Sequence, residues 1–450
     1  MHFKKPTSKK NVYKDAKKLR EIISEGKINT LAKESGWQKR ERTFTAMDLL
    51  KTMVFTGHGH YQLSLRERCC ELLSYGVTLS KQALDKRLNE KAPVFIKSVL
   101  EQVLQLKLTD SSMKGSLKDF TALKILDATS FQLPENLSDH YAGVGGSASK
   151  SGVKTHYRVA IATTDQMEVE ITGGIGPDTA TSLLRASPGE LLLFDLGYFS
   201  FTTLYGIATD RAFYISRIKY NTQIWVKTGE GFERFNWQKQ IREMQQGQLR
   251  ELQVYLGRDK AVESRLIIEK LPGQIAHQKR RKFKADMRDK RKKYSKERLD
   301  FCAVNAFITN TAKEQLPACK LRAIYSIRWQ IEIYFKTWKS YMNIDKIEKM
   351  NLHRFNCTHY ASLIYVILSC KLFLYFKQTT WKKQHKELSE LKAMKLLAKH
   401  RELLWELLYL PLQRARDRLE ALQKILNMYC IKENKKGKLT PYQIIEKSLS

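Results

Sequence analysis

The spacing of apolar residues changes twice along the chain. Over residues 1–110 it has helical steps, as in "SLRERCCELLSYGVTLSKQALDKRLNE", which predicts a helix, a turn at Gly76 and a second helix capped by Ser80. From Leu117 the runs shorten and predict strands. "ALKILDATSF" is an apolar run ending at Asp127, "VKTHYRVAIATT" and "MEVEITGG" form a hairpin, "ELLLFDLGYF" ends its apolar run at Asp195, and "AFYISRIKY" is a fifth strand. Helices are expected near residues 179–186 and 201–210, so the pattern predicts a mixed α/β sheet rather than an all-β sandwich.

Residues 221–300 differ, with short β-like runs, "QVYLG" and "RLIIEKL", followed by a charge run. After a further strand, "FCAVNAFITN", the chain turns helical through "AIYSIRWQIEIYFKTWKSYMNIDK", the apolar run "YASLIYVILSCKLFLYF" and an amphipathic region over residues 388–429. Lys371 interrupts the apolar run before it reaches the roughly 20 residues of a spanning helix, which predicts a buried core helix.

Charge then narrows the partner. The 450 residues carry 80 Lys plus Arg against 46 Asp plus Glu, a formal +34, and the expected partner is a polyanion. Nucleic acid fits better than a membrane surface, because the start, "MHFKKPTSKK", is polar and no basic amphipathic anchor is evident. Residues 279–298 hold twelve Lys or Arg against three Asp or Glu, a pattern suited to a solvated helix, to phosphate contact, or to both. The helix pair around Gly76 resembles a helix-turn-helix, although ordinary packed helices share its pattern. Seven cysteines, an odd number without a C-x-x-C pair, suggest neither a disulfide framework nor zinc and suit a reducing, cytoplasmic compartment. His58 and His60 flank a glycine with no third ligand nearby and read as turn residues.

Asp127 and Asp195 occupy equivalent places, each at the end of an apolar run. Strand ends of an open α/β sheet gather functional side chains, although a single aspartate there is an ordinary turn former. Glu332 adds weight. On one continuous helix at about 100° per residue, Tyr325, Arg328, Glu332 and Lys339 fall within a sector of about 60°, opposite Ile331, Tyr334 and Trp338. An i, i+4 salt bridge accounts for Arg328 and Glu332 but not for Tyr325 or Lys339. Three converging carboxylates can hold two Mg²⁺ ions, which favour hard oxygen ligands and stabilise both oxygens of an in-line phosphoryl displacement. Arg328 and Lys339 would grip neighbouring phosphates and Tyr325 would donate a hydrogen bond.

Tyr325-x2-Arg328-x3-Glu332-x6-Lys339 resembles the Y-R-E-K signature of DDE transposases of the insertion-sequence-four family. Asp127 in "ILDATSF" and Asp195 in "LLLFDLGYF" resemble that family's first and second catalytic aspartates, the latter in its D-x-G-[YF] form. The resemblance covers roughly residues 117–370. Asp127 departs modestly from many relatives in being followed by Ala-Thr.

The resemblance implies a ribonuclease-H-like mixed sheet core with an inserted mainly β domain and helical N- and C-terminal regions. The implied domains are residues 1–110, helical and DNA-binding; 117–220, the first part of the core; 221–300, the inserted basic segment; 301–376, the second part, with Glu332; and 377–450, helical. It also implies cut-and-paste transposition: hydrolysis at the element ends, then joining of 3′-hydroxyls to target DNA, with Asp127, Asp195 and Glu332 holding two Mg²⁺ ions for which Mn²⁺ can substitute. Partners would be double-stranded DNA, as terminal inverted repeats and target, and a second copy of the chain in a synaptic complex, in the cytoplasm with the nucleoid and away from membranes. By analogy Trp329 would stack on a distorted end, with Trp225 and Trp237 as alternatives. A structure-specific nuclease on the same core and a non-catalytic DNA-binding protein are the competing readings.

Overall fold

The computed structural model describes residues 17–449 apart from 18–19, 22, 41–42, 57–62, 74, 109–116, 162–165 and 434–436. The polar start of the chain, His58 and His60 therefore lie outside the described residues. Helices come first: α1 (Glu25–Glu34), α2 (Ala46–Leu50), α3 (Leu65–Leu73), α4 (Lys81–Arg87) and α5 (Lys91–Gln105). Strands β1 (Ala122–Leu133), β2 (Ser151–Ala160), β3 (Met167–Gly173) and β4 (Glu190–Phe194) precede α6 (Phe201–Thr209) and β5 (Phe213–Arg217). There follow β6 (Ile224–Thr228), β7 (Gly231–Arg234), α7 (Trp237–Glu243), β8 (Leu249–Leu256), β9 (Val262–Lys270), α8 (Gly273–Asp289), α9 (Lys296–Asp300) and β10 (Val304–Thr309). The remainder is helical: α10 (Ala318–Ser326), α11 (Trp329–Ser340), α12 (Leu352–Gln384), α13 (Glu390–Lys399), α14 (Arg401–Tyr409), α15 (Leu412–Tyr429) and α16 (Pro441–Leu449).

The chain forms two compact units, residues 1–113, 128–176 and 330–440 in one and residues 114–127, 177–329 and 441–450 in the other. In the first, local chemistry sets the helix ends. Ser80 accepts a hydrogen bond from Ala83 N to start α4, and Thr45 and Asp48 form a reciprocal capping box on α2. Gly76 supplies the left-handed turn between α3 and α4, with φ 73°. The helix pair expected there is present.

The expected buried helix is α12, 33 residues long, with 89% of its most apolar window buried. Lys371, 2% exposed, is accommodated within it because its ammonium donates to Leu106 O at 2.8 Å. Tyr157 of β2 packs against Trp338 of α11, ring centroids 4.9 Å apart, and Tyr334 of α11 meets Phe373 of α12. The predicted hairpin is present as β2 and β3, paired antiparallel from Val153↔Gly173 to Val159↔Met167.

In the second unit the strand order is β1-β4-β5-β10-β9-β8-β6-β7, and β1 continues into the first unit, where the order is β3-β2-β1. Pairs β1–β4 and β4–β5 are parallel, while β10 lies antiparallel to both β5 and β9. The strands of residues 221–270 therefore prolong the core sheet through β10. The sheet is mixed and helical regions precede and follow it, as expected of a ribonuclease-H-like transposase core.

Three local expectations fail. Residues 179–186 hold only two short 3₁₀ turns, Asp178–Ala180 and Ser182–Leu184, because Thr181 Oγ1 accepts from Leu183 N in place of a helical ladder. Strand β1 does not end at Asp127 but runs six residues further, to Leu133. The segment 323–346 is not one helix: α10 stops at Ser326 and α11 starts at Trp329. Between them Ile327 N and Arg328 N donate to Ile324 O and Tyr325 O, i to i−3 bonds that tighten the last turn and break the register of the faces.

Candidate active site

Strands β1 and β4 are apolar because both are covered. Leu123, Ile125, Leu126 and Leu191 to Phe194 are fully buried. Their parallel register ends at Leu126↔Phe194, so the next residues, Asp127 and Asp195, emerge side by side from neighbouring strands. Adjacent strands lie about 4.8 Å apart, which puts two half-buried carboxylates within reach of one small cation.

Two features hold this alignment. Lys124 Nζ lies 2.7 Å from Glu190 Oε1, both side chains 4% exposed, tying β1 to β4 at the end of the register away from the aspartates. Beyond Asp195 the chain leaves the sheet through a 3₁₀ turn, Leu196–Tyr198, whose Gly197 lies against the Asp178 carboxylate, so that a Cβ there would displace the end of that side chain. That contact is the physical reason for the glycine in "DLGY".

Arg328 and Tyr325 pack behind the two aspartates. Arg328 Nη1 donates to Asp127 Oδ2 at 2.9 Å, and the arginine is 5% exposed. Tyr325, 6% exposed, donates its hydroxyl to Phe194 O at 3.2 Å, one residue before Asp195, and its ring lies 5.2 Å from that of Phe307. Burial pushes the Tyr325 hydroxyl up to about 12, with the neighbouring Asp195 carboxylate adding to the rise. Tyr325 and Arg328 are thus both bonded at the strand ends, the one to the Phe194 carbonyl and the other to the Asp127 carboxylate. Trp329 is the exposed member, at 57%, with the Arg328 guanidinium 5.4 Å from its ring centre.

Glu332 and Lys339 lie on α11, seven residues apart and so within about 20° of the same face. Ile331, Tyr334 and Trp338 are the buried face of that helix. Lys339 Nζ donates to Ser130 O on β1 at 2.9 Å, three residues past Asp127. Among the described residues, no group of three or more His, Cys, Asp or Glu side chains is gathered closely enough to hold a metal ion. The geometry thus groups Asp127 and Asp195 with Arg328 and Tyr325. Hard carboxylate oxygens are the right donors for Mg²⁺, and Asp127 and Asp195 follow paired positions on neighbouring strands.

Pattern reading passed over Lys124, Glu190 and Asp178. Lys124 and Glu190 carried a signal, a charge within or at the edge of an otherwise apolar run in "ALKIL" and "ELLLF". Asp178 carried none, because its contact with Gly197 joins segments separated by a loop.

Residues 119–366 match the family described as "Transposase DDE domain", a span containing all seven candidate residues. The chain is 29% identical over 450 residues to the transposase for insertion sequence element IS231E of Bacillus thuringiensis subsp. finitimus, covering 96% of this chain and 94% of that one. It is 30% identical over 408 residues to the transposase for IS231F of Bacillus thuringiensis subsp. israelensis, covering 86% of each. With the transposase for IS1151 of Clostridium perfringens the identity is 31% over 398 residues, covering 84% of each.

Proposed function

Since this chain belongs to the DDE transposases of bacterial insertion sequences, we propose that it moves its element by cutting and pasting. Hydrolysis at the element ends would free 3′-hydroxyls, which are then joined to target DNA. The observation that carries this reading is the emergence of Asp127 and Asp195 side by side from parallel strands. Two hard-oxygen donors on adjacent strands, one of them backed by a buried arginine, suit phosphoryl transfer.

In this reading Asp127 and Asp195, with Glu332 as the third carboxylate, hold Mg²⁺, with Mn²⁺ as a substitute. The bound ions supply Lewis-acid stabilisation of charge on the attacking and leaving oxygens. The chain's own side chains do the positioning. Arg328 restrains one oxygen of Asp127 and balances its charge. Tyr325 holds the Phe194 carbonyl, and with it the exit of β4 at Asp195. Lys339 holds the β1 backbone at Ser130 and places a cation near the DNA path. Trp329 offers an exposed face on which an unstacked base can lie.

The helical region of residues 1–110 is assigned to recognition of the terminal inverted repeats, and two copies of the chain pair two ends in a synaptic complex at the nucleoid. Residues 117–220 and 301–376 supply the catalytic core, 221–300 the inserted basic segment and 377–450 the final helical region.

The test uses the purified full chain, its own element's terminal repeats, a target plasmid and Mg²⁺. End cleavage followed by strand-transfer products is expected, and Glu332→Gln should abolish both while leaving end binding intact. Full activity of that variant sinks the triad. Cleavage without any joining identifies a nuclease instead.

A further inference from the structure

Helix α8 has two faces of different character. Taking Gln278 as zero and about 100° per residue, Ala276, Lys279, Arg280, Phe283 and Met287 fall between about 100° and 200°. This is the anchored side. Ala276 and Met287 are buried, Lys279 Nζ donates to Asn305 Oδ1 at 2.7 Å, Arg280 lies 3.7 Å from Asp300, and Phe283 meets Tyr294 edge to face.

The opposite side, from about 280° through zero to 40°, carries Arg281, Lys282 and Arg288 with a single carboxylate, Asp289, all exposed, and Lys284 stands at its edge. These side chains line a groove of about 780 Å³ with Gln278, Ala285, Lys292 and Tyr294, and no carboxylate is among the lining residues. Arg288 meets Asp289 at 3.8 Å with both side chains largely exposed, a pair too solvated to neutralise the face. A helix fixed on one side that displays unneutralised cations on the other is built to meet a polyanion.

From Arg281 to Arg288 the helix rises about 10 Å, roughly three phosphate-to-phosphate steps along one DNA strand. Cations ranged along one exposed helix face meet phosphates by charge, and phosphate contacts carry no sequence information of their own. We propose that this face of α8 is a docking surface for the phosphate backbone of a DNA duplex held irrespective of sequence, namely target DNA. The inference rests on the transposase reading and adds a partner surface outside the carboxylate site.

The experiment measures binding of the full chain to a random-sequence duplex and to a terminal-repeat duplex, across a salt titration. Arg281→Ala, Lys284→Ala and Arg288→Ala are combined in one variant. For the random duplex, affinity near physiological salt should fall at least about tenfold, and the slope of log affinity against log salt should become shallower by about three. Arg281→Lys with Arg288→Lys should keep both close to wild type, and an unchanged melting temperature of the triple variant excludes misfolding. Identical affinity and slope in wild type and triple variant overturn the proposal, as does a loss confined to the terminal-repeat duplex. Failure of the wild type to bind any duplex would instead overturn the transposase reading itself.

Discussion

Arg328 Nη1 sits 2.9 Å from Asp127 Oδ2, with the arginine side chain 7% and the aspartate 19% exposed. A guanidinium so placed sets the direction of the carboxylate and offsets its charge where water screens little. Arg328→Ala should lower end cleavage more than tenfold and cost about 1.5–3 kcal/mol of stability, the range for hydrogen bonds to charged groups. Arg328→Lys should recover part of the stability but less of the rate, because an ammonium keeps the charge and loses the fixed fork. Single-turnover cleavage and denaturant midpoints check both, and an unimpaired Arg328→Ala enzyme would remove the arginine from the site.

The Lys124–Glu190 pair is buried on adjacent parallel strands. Glu190→Gln should destabilise by about 3–5 kcal/mol by leaving a buried ammonium uncompensated, whereas Lys124→Met combined with Glu190→Leu should restore most of the loss. Urea midpoints measure this. If the pair also specifies register, the restored double variant will still cleave more slowly than wild type, because Asp127 and Asp195 depend on that register.

Gly197→Ala would drive a methyl group into the Asp178 carboxylate. Relief requires the Asp178 carboxylate to swing aside or the turn that leaves Asp195 to shift, at a cost of up to about 1–3 kcal/mol for an overpacked site. Cleavage should fall more than stability does. Asp178→Ala in the same chain should rescue part of the rate, a result that simple unfolding would not produce.

His359 is fully buried, stacked on Phe355 with centroids 5.5 Å apart and edge-on to Phe131, and neither ring nitrogen has a hydrogen-bond partner among the described residues. Burial pulls its pKa down from 6.5 to about 4. Between those values the unfolded chain binds the proton and the folded chain does not. Stability is therefore full above about pH 6.5 and falls by about 3 kcal/mol as the pH drops towards 4. Melting temperatures from pH 4 to 7 should show a smaller acid loss for His359→Phe, and equal losses in both chains would exclude the histidine as the cause.

Much of the fold was legible because single-element patterns depend on neighbours in sequence. The hairpin of β2 and β3, the strands at Asp127 and Asp195, the helix pair around Gly76 and the buried helix α12 all follow from apolar spacing and caps. The expected single helix through Tyr325 and Glu332 failed where pattern is weakest. A break of two residues costs little in apolar periodicity, yet it separates Tyr325 and Arg328 from the helix that carries Glu332 and Lys339. Tyr325 is accordingly 6% exposed and bonded to Phe194 O, a contact that helix periodicity alone does not show.

The sequence by itself determined the class of chemistry: a basic chain, two aspartates ending apolar runs, and the Y-R-E-K spacing, all properties of residue type and order. Only the tertiary structure decided which of these side chains touch. The parallel register that sets Asp127 beside Asp195, the seat of Arg328 on Asp127 and the exclusion of a side chain at Gly197 join residues from 19 to 201 positions apart. Contacts at that separation arise from packing and strand alignment, which local propensity does not encode.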